Sequence, residues 1–470
     1  MKKLTLFTAI TFISAVVYSQ TYLKVSGGGE FSTALRSDST IWAWGFNGNG
    51  QLGTGNTDTQ YSLVQIGTDT NWTDITAGAW HCLAIKHDGT LWAWGYNIVG
   101  QLGDSTTTQR NSPVQIGTGI DWKLVDAGQA HTLAIKTDST LWAWGLNYYG
   151  QLGDSTVVDK KFPVQIGTDH DWIKISAGGG HSLALKSDST LWAWGANSNG
   201  QLGDTTTTSQ SEVPMQIGND SDWKDISAGF EYSIAMKFDN TIWSWGFNAN
   251  GQLGTGSLAQ ESSPVQIGND STWRKIAAGP SFAYGIKSDS TLWGWGYNYY
   301  GQLGTGNTDQ QTTPVQIGSD AHWVMISPAD GFIYSSSLYG LHTLGLKLPL
   351  DVICAAGANY TGQLGDGSTA NAYEFTCNTG IIYGIQPDDN NHNHELLIFS
   401  NPSGSKITIT TPQSFKNDRI ILCDITGREI LYTSVNDIIT ELDVSNIPCG
   451  VYLVKVKGKN QLVTKKVIIY

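Results

Sequence analysis

The sequence predicts an all-β protein: a seven-bladed β-propeller followed by a small C-terminal β-sandwich. Three observations carry the prediction. A tryptophan-rich stretch, LWAWGANSNGQLGD at residues 191–204, recurs along the chain at near-constant spacing. Around each copy, short runs alternate apolar and polar residues, the period of a strand. Glycine supplies 55 of the 470 residues and proline only 12. That balance suits many tight turns and excludes collagen-like and proline-rich linker chains.

The first element is a targeting segment. Met1-Lys2-Lys3 is a short basic stretch, Leu4 to Val17 is largely apolar, and Val17 and Ser19 place small residues before Gln20. This is the pattern of a secretory signal peptide over residues 1–19. The apolar run is too short to span the ~30 Å hydrocarbon core of a bilayer. The expectation is an exported chain with no transmembrane segment after cleavage.

The repeats follow, over residues 20–383. The glycine closing the Trp-Ala-Trp-Gly element falls at 45, 95, 145, 195, 246 and 296, and a degenerate copy ends at Gly357. Each copy leads into Asn-x-x-Gly-Gln-Leu-Gly. Each is preceded by a strand opening on an aromatic residue: Tyr22, Trp72, Trp122, Trp172, Trp223, Trp273 and Trp323. Within one unit, WIKISAG (172–178), HSLALK (181–186) and LWAWG (191–195) read as three strands, and a Pro-x-Gln-Ile-Gly element as the fourth. The hairpin between the second and third strands carries Asp-Gly at Asp88-Gly89, a pair that favours a type I′ turn. Four short strands per ~50 residues is the pattern of a propeller blade. In the last unit Cys354 and Ala356 stand in place of the two tryptophans, and an insertion around 329–339 predicts an extra loop on one face.

These repeats resemble those of the regulator of chromosome condensation family. The likeness rests on the Ala-Gly-x-x-His-(Ser/Thr)-Leu-Ala-(Ile/Leu)-Lys segment, the Asp turn, the Leu-Trp-Ala-Trp-Gly strand and the Asn-x-x-Gly-Gln-Leu-Gly turn. It covers about three quarters of the chain, and it implies the seven-bladed propeller. It does not imply one activity, since members range from a nuclear exchange factor to secreted enzyme inhibitors. What they share is binding through a propeller face.

Charge narrows the partners. The chain has 27 Lys and Arg against 40 Asp and Glu, a net charge of −13, with the excess in the repeats. Such a body repels phosphate backbones and anionic membranes, so nucleic acid is not expected as a partner.

Most conspicuous residues have structural roles. Eighteen of the 19 tryptophans occupy repeated positions, which assigns them to the core between blades. His81, His131 and His181 share a position that holds Phe31, Tyr232 and Phe282 elsewhere, so it is an aromatic packing site and not a ligand set. Asp38, Asp88, Asp138, Asp188, Asp239 and Asp289 form hairpin tips. No nucleophile–base pair, metal set or cofactor motif is present, so no catalytic, metal or cofactor residues are expected. His392 and His394 read as part of a polar linker, 384–394.

The scaffold does not dictate the positions that vary between repeats. After Ala-Gly these include Trp80 and Phe230. Inside Asn-x-x-Gly they include Tyr148, Tyr149, Tyr299, Tyr300 and Tyr360. In a propeller each set forms an arc on a face, and exposed Tyr and Trp there are typical interface anchors. The expected function is a scaffold binding an extracellular protein through this face, with a glycan as the alternative ligand and an enzyme as the weaker third reading.

Five cysteines remain. Cys82 lies where other repeats carry Ser or Thr and reads as a small buried filler. Cys354 with Cys377, and Cys423 with Cys449, could each pair, and export permits disulfides.

Residues 395–470 alternate as strands and predict the small sandwich. They resemble the C-terminal sorting domain of the type IX secretion system of Bacteroidetes, through Asn401-Pro402, Asp424 to Arg428, Leu442-Asp443-Val444, Gly450-Val451-Tyr452 and Lys465-Lys466-Val467-Ile468. The resemblance implies contact with the secretion machinery through this domain, then release or attachment at the cell surface.

Overall fold

Blade 4 shows how one repeat becomes structure. In the computed structural model its strands are Trp172–Ala177, His181–Lys186, Leu191–Ala196 and Gln210–Gln216. They pair antiparallel in chain order. The outermost carries Pro214, which an edge strand tolerates because that side of the ladder needs no further donor. Six further sheets repeat this order, giving seven blades in all. Residues from all seven innermost strands line a central channel.

The structure describes residues 21–206, 209–331, 333–334, 337–338, 341–348, 352–379, 397–400, 406–410, 419–424, 428–434, 439–444, 447, 450–457 and 462–469. The expected signal peptide (1–19), the linker (384–394) with His392 and His394, and Cys449 lie outside them.

The core lies between blades, not within them. Leu183, Leu185, Leu191 and Leu202 of blade 4 pack against Trp223, Ile226 and Trp245 of blade 5. Trp194 and its equivalents Trp44, Trp94, Trp144, Trp245 and Trp295 are fully buried. Each donates its indole N–H to the backbone carbonyl of the Gln in the preceding blade's Gln-Leu-Gly turn. Trp245 reaches Gln201 at 2.9 Å and Trp194 reaches Gln151 at 2.8 Å. The ring closes with the same bond: Trp44 of blade 1 donates to Gln363 of blade 7 at 2.8 Å.

Blade 7 has Ala356 where that tryptophan would stand. The hydroxyl of Tyr284, in blade 6, donates to the Gln302 carbonyl instead. Cys354, at the other tryptophan position, forms a disulfide with Cys377 in the adjacent outer strand. Cys82 and Cys423 are buried free thiols. Cys82 directs its Sγ at the Gln51 carbonyl, 3.5 Å away, as Ser and Thr do in other blades.

The histidine position is buried, as an aromatic packing site should be, but it also carries a polar link. His181 Nε2 lies 2.9 Å from Ser233 Oγ of the next blade, and that hydroxyl donates to the Gln201 carbonyl at 2.8 Å. His81, His131 and a fourth member, His342, repeat the arrangement with Thr132, Ser182 and Ser32. Because each hydroxyl gives its proton to a carbonyl, the imidazole must be the donor at Nε2. Burial holds all four imidazoles down to a pKa of about 3.

At the opposite end of blades 2 to 7 a lysine is clasped against tryptophan, and in blade 1 Arg36 takes its place over Tyr22 and Trp42. Lys186 Nζ lies 4.8 Å from the Trp172 ring and 4.6 Å from the Trp192 ring, and pairs with Asp169 at 2.5 Å. The hairpin beyond it is not the type I′ turn that Asp88-Gly89 suggested. Lys86 N bonds Thr90 O, Gly89 N bonds Lys86 O, and only Gly89 has a positive φ, of 77°. A three-residue loop with one left-handed residue results, because Asp88 uses its side chain to hold Thr90 N and Oγ1. The insertion in blade 7 contributes a short hairpin, Ile333–Tyr334 against Ser337–Leu338.

The chain divides into two units, Met1–Gly384 and Ile385–Tyr470. The second contains a three-stranded and a four-stranded antiparallel sheet. Ile420, Leu422, Leu442, Tyr452, Val454 and Val456 form its core.

Candidate interaction face

The antiparallel register brings the loop after the first strand and the turn after the third to one end of each blade. His181 pairs with Gly195, so Ala-Gly-x-x and Asn-x-x-Gly open onto the same face. The Asn and Gln of each turn are internal props. Asn147 Oδ1 accepts from Leu152 N at 3.0 Å, and its amide donates to loop carbonyls. Gln151 Oε1 accepts from Tyr149 N at 2.8 Å. With backbone demands met from below, the first variable residue of each turn points into solvent: Gly48, Ile98, Tyr148, Ser198, Ala249, Tyr299 and Tyr360 are all exposed.

The aromatic residues singled out in the sequence group into separate patches on this face. Tyr148 is 69% exposed and meets Tyr149 edge-on at 4.9 Å. Tyr299 is 65% exposed and stacks on Tyr297, while Tyr300 bridges Tyr299 to Tyr360 across the blade 6–7 boundary. Trp80 is half-buried and packs edge-on against Tyr96 at 5.5 Å. Phe230 is half-buried over Gly179 of blade 4, where a Cβ would come within 2.7 Å of the ring. Tyr149 leans over the adjoining Gly180. The Gly179-Gly180 loop thus lies as a bare strip between Tyr149 and Phe230.

Sequence reasoning missed Tyr96, Tyr297 and Ile98. The first two follow the Trp-x-Trp-Gly glycine, a position that also varies between repeats, so the signal was present. Glu30 and Glu231 occupy the same loops, half-buried, and burial pushes their carboxyls above the usual range. No Lys or Arg occurs in the Ala-Gly-x-x or Asn-x-x-Gly segments of the repeats. Among the described residues, no group of three or more His, Cys, Asp or Glu is placed to hold a metal ion. No helix among them is long and apolar enough to cross a membrane.

A closed ring of seven blades with a constant interior and a variable, aromatic rim defines a β-propeller of the repeat-scaffold class. Comparison with known proteins makes this specific. The RCC1-like domain pattern matches residues 12–279, and regulator of chromosome condensation (RCC1) repeats match residues 273–302 and 289–333. The chain belongs to the RCC1-like family. Residues 397–470 match the secretion system C-terminal sorting domain, the type IX signal, so the protein is secreted or attached to the cell surface.

Among solved structures, human WBSCR16 is similar at 21% identity and a TM-score of 0.60, over 66% of this chain and 85% of that one. Prp20p from Saccharomyces cerevisiae is similar at 18% identity and a TM-score of 0.62, over 80% of this chain and 90% of that one. At these identities the likeness is one of fold. No curated protein sequence matches the chain.

Proposed function

We propose that this protein is a non-enzymatic scaffold that captures an extracellular protein on the aromatic face. In this reading residues 1–19 are the signal peptide, 20–383 the propeller, 384–394 a linker and 395–470 the sorting domain. Trp80, Tyr148, Tyr149, Phe230, Tyr299, Tyr300 and Tyr360 form the contact surface.

The observation that carries the proposal is the exposure of Tyr148, Tyr299 and Tyr360 at one position of the turn, above an Asn and Gln framework that does not need them. Aromatic side chains left largely in water add little to the fold and are efficient anchors once buried by a partner. Glu30 and Glu231, on loops that carry no Lys or Arg of their own, favour a partner that presents basic side chains, which pair with carboxylates and stack on aromatic rings.

The test is affinity capture by the intact mature chain from spent medium and neighbouring-cell lysate. Tyr148→Ala, Tyr299→Ala and Tyr360→Ala are combined in one variant, which should still fold, losing only surface ring contacts and the Asn371–Tyr360 bond. A protein enriched by the wild type and lost at least ~10-fold in the variant is expected. Equal capture by both refutes the proposal. Saturable binding on a glycan array, with no protein enriched, would replace it with the glycan reading.

A further inference from the structure

The strongest unexplained feature lies in the central channel. One position of the innermost strands reads Ser26, Thr76, Asp126, Ser176, Ser227, Ala277 and Ser327 around the ring. Its usual work is to accept a backbone N–H from the next blade. Ser26 accepts from Ala77 at 3.0 Å, Ser176 from Ala228 at 2.9 Å and Ser227 from Ala278 at 2.9 Å. Asp126 does the same for Ala177, through Oδ2 at 2.8 Å. A serine therefore suffices for this bond; the second oxygen of Asp126 accepts only a long bond, from Thr76 Oγ1 at 3.4 Å, which does not require a charge.

A second carboxylate joins it. Asp330 follows the innermost strand of blade 7, where other blades have Gly29, Ala79, Gln129, Gly179, Phe230 and Pro280. Its backbone N–H is bonded to Gly27 O at 2.9 Å. Its Oδ2 is shut off from solvent and has no hydrogen-bond partner. Both acids line one cavity of about 160 Å³, whose remaining polar side chains are only hydroxyls and whose lining holds no Lys, Arg or His. The one cation that acts on Asp126, Lys24, is outside the lining and is paired with Asp74 at 2.6 Å, so it offsets the Asp126 charge only in part. Two half-buried carboxylates in one cavity whose lining carries no cation are costly, and the unpartnered, solvent-inaccessible Oδ2 of Asp330 marks a missing ligand.

We propose that the channel binds one calcium ion between the carboxylates of Asp126 and Asp330. The donors are all oxygen: two carboxylates, the hydroxyls of the ring and water, for which the cavity has room. The lack of nitrogen and sulfur donors disfavours zinc and copper. A flexible ring of donors suits calcium better than magnesium, which demands strict octahedral geometry. An exported protein meets the high calcium levels that extracellular sites of modest affinity require. Burial pushes the Asp126 carboxyl up to about 6; it raises Asp330 as well, with the Asp126 charge adding to the rise. A bound divalent cation reverses both effects.

The experiment uses the full chain, stripped with EDTA. Calorimetric titration with calcium chloride should give one ion per chain, with a dissociation constant of about 10⁻⁴–10⁻³ M. Asp126→Ser keeps the bond to Ala177 in the form other blades use, and Asp330→Asn keeps the shape. Each should weaken binding at least ~10-fold.

Thermal unfolding supplies an independent sign. In EDTA, Asp126→Ser should melt above the wild type, because a charge offset only in part has gone. In about 5 mM calcium the order should reverse. Absence of saturable binding up to about 10 mM, unchanged binding in the two variants, or tighter binding of magnesium would each overturn the proposal. Should one variant fail to fold, the other decides.

Discussion

His181→Phe tests the polar link between blades. The imidazole is completely buried, bonded to Ser233, and held down to a pKa of about 3 by burial, with the nearby His131 adding to the effect. The unfolded chain has an ordinary imidazole near ~6.5. The folded pKa is the depressed one, so the unfolded state takes up the proton first on acidification. The stability tied to the neutral histidine is complete above pH ~6.5 and is lost as pH falls toward ~3. At about pH 5 the loss is roughly 1.5 units at 1.36 kcal/mol each, about 2 kcal/mol per histidine. Four such histidines would cost about 8 kcal/mol together, which predicts steep acid unfolding.

Phenylalanine already fills this position at Phe31 and Phe282. At about pH 7.5 the substitution should therefore cost only the bond to Ser233, about 1 kcal/mol. Between about pH 7.5 and 5 the variant should lose about 2 kcal/mol less than the wild type. Asp126 titrates with the opposite sign, but equally in both proteins, and cancels in the difference. Guanidinium unfolding followed by tryptophan fluorescence measures it, since all 19 tryptophans lie in the repeats. Identical pH dependence in the two proteins would refute the argument.

Two further substitutions address the scaffold. Lys186→Met removes the cation clasped by Trp172 and Trp192 and should cost about 1–2 kcal/mol in the same unfolding assay, with Lys186→Arg retaining most of it. A cost no larger than that of an exposed lysine would show that the rings are only neighbours. Replacing Cys354 and Cys377 together by Ser opens a cross-link spanning 23 positions and should cost about 3 kcal/mol. Dithiothreitol should lower the melting temperature of the wild type and leave that variant unchanged.

Much of the architecture was legible because blades repeat. The innermost strands begin at the aromatic residues the spacing picked out, Tyr22 and Trp72 through Trp323. A period averages over copies, however, and hides what single blades do differently. His342 was overlooked because the insertion in blade 7 displaces it from the regular spacing. Asp126 was invisible as anything but a variant of Ser. The Asp88-Gly89 turn was misjudged because the pair preference ignores the side-chain bonds from Asp88 to Thr90.

The sequence by itself determined the strand order, the number of blades and the use of tryptophan as the filling between them. Each of these follows from the local period and from the large apolar area that a repeated indole must bury. Tertiary structure alone decided which residues meet across the closed ring. Ser32 reaches His342, and Trp44 reaches Gln363, over more than 300 residues of chain. It also decided that Asp126 and Asp330 share one cavity. A channel gathers one side chain from every blade, so its chemistry is a property of the closed ring and cannot be read from any single repeat.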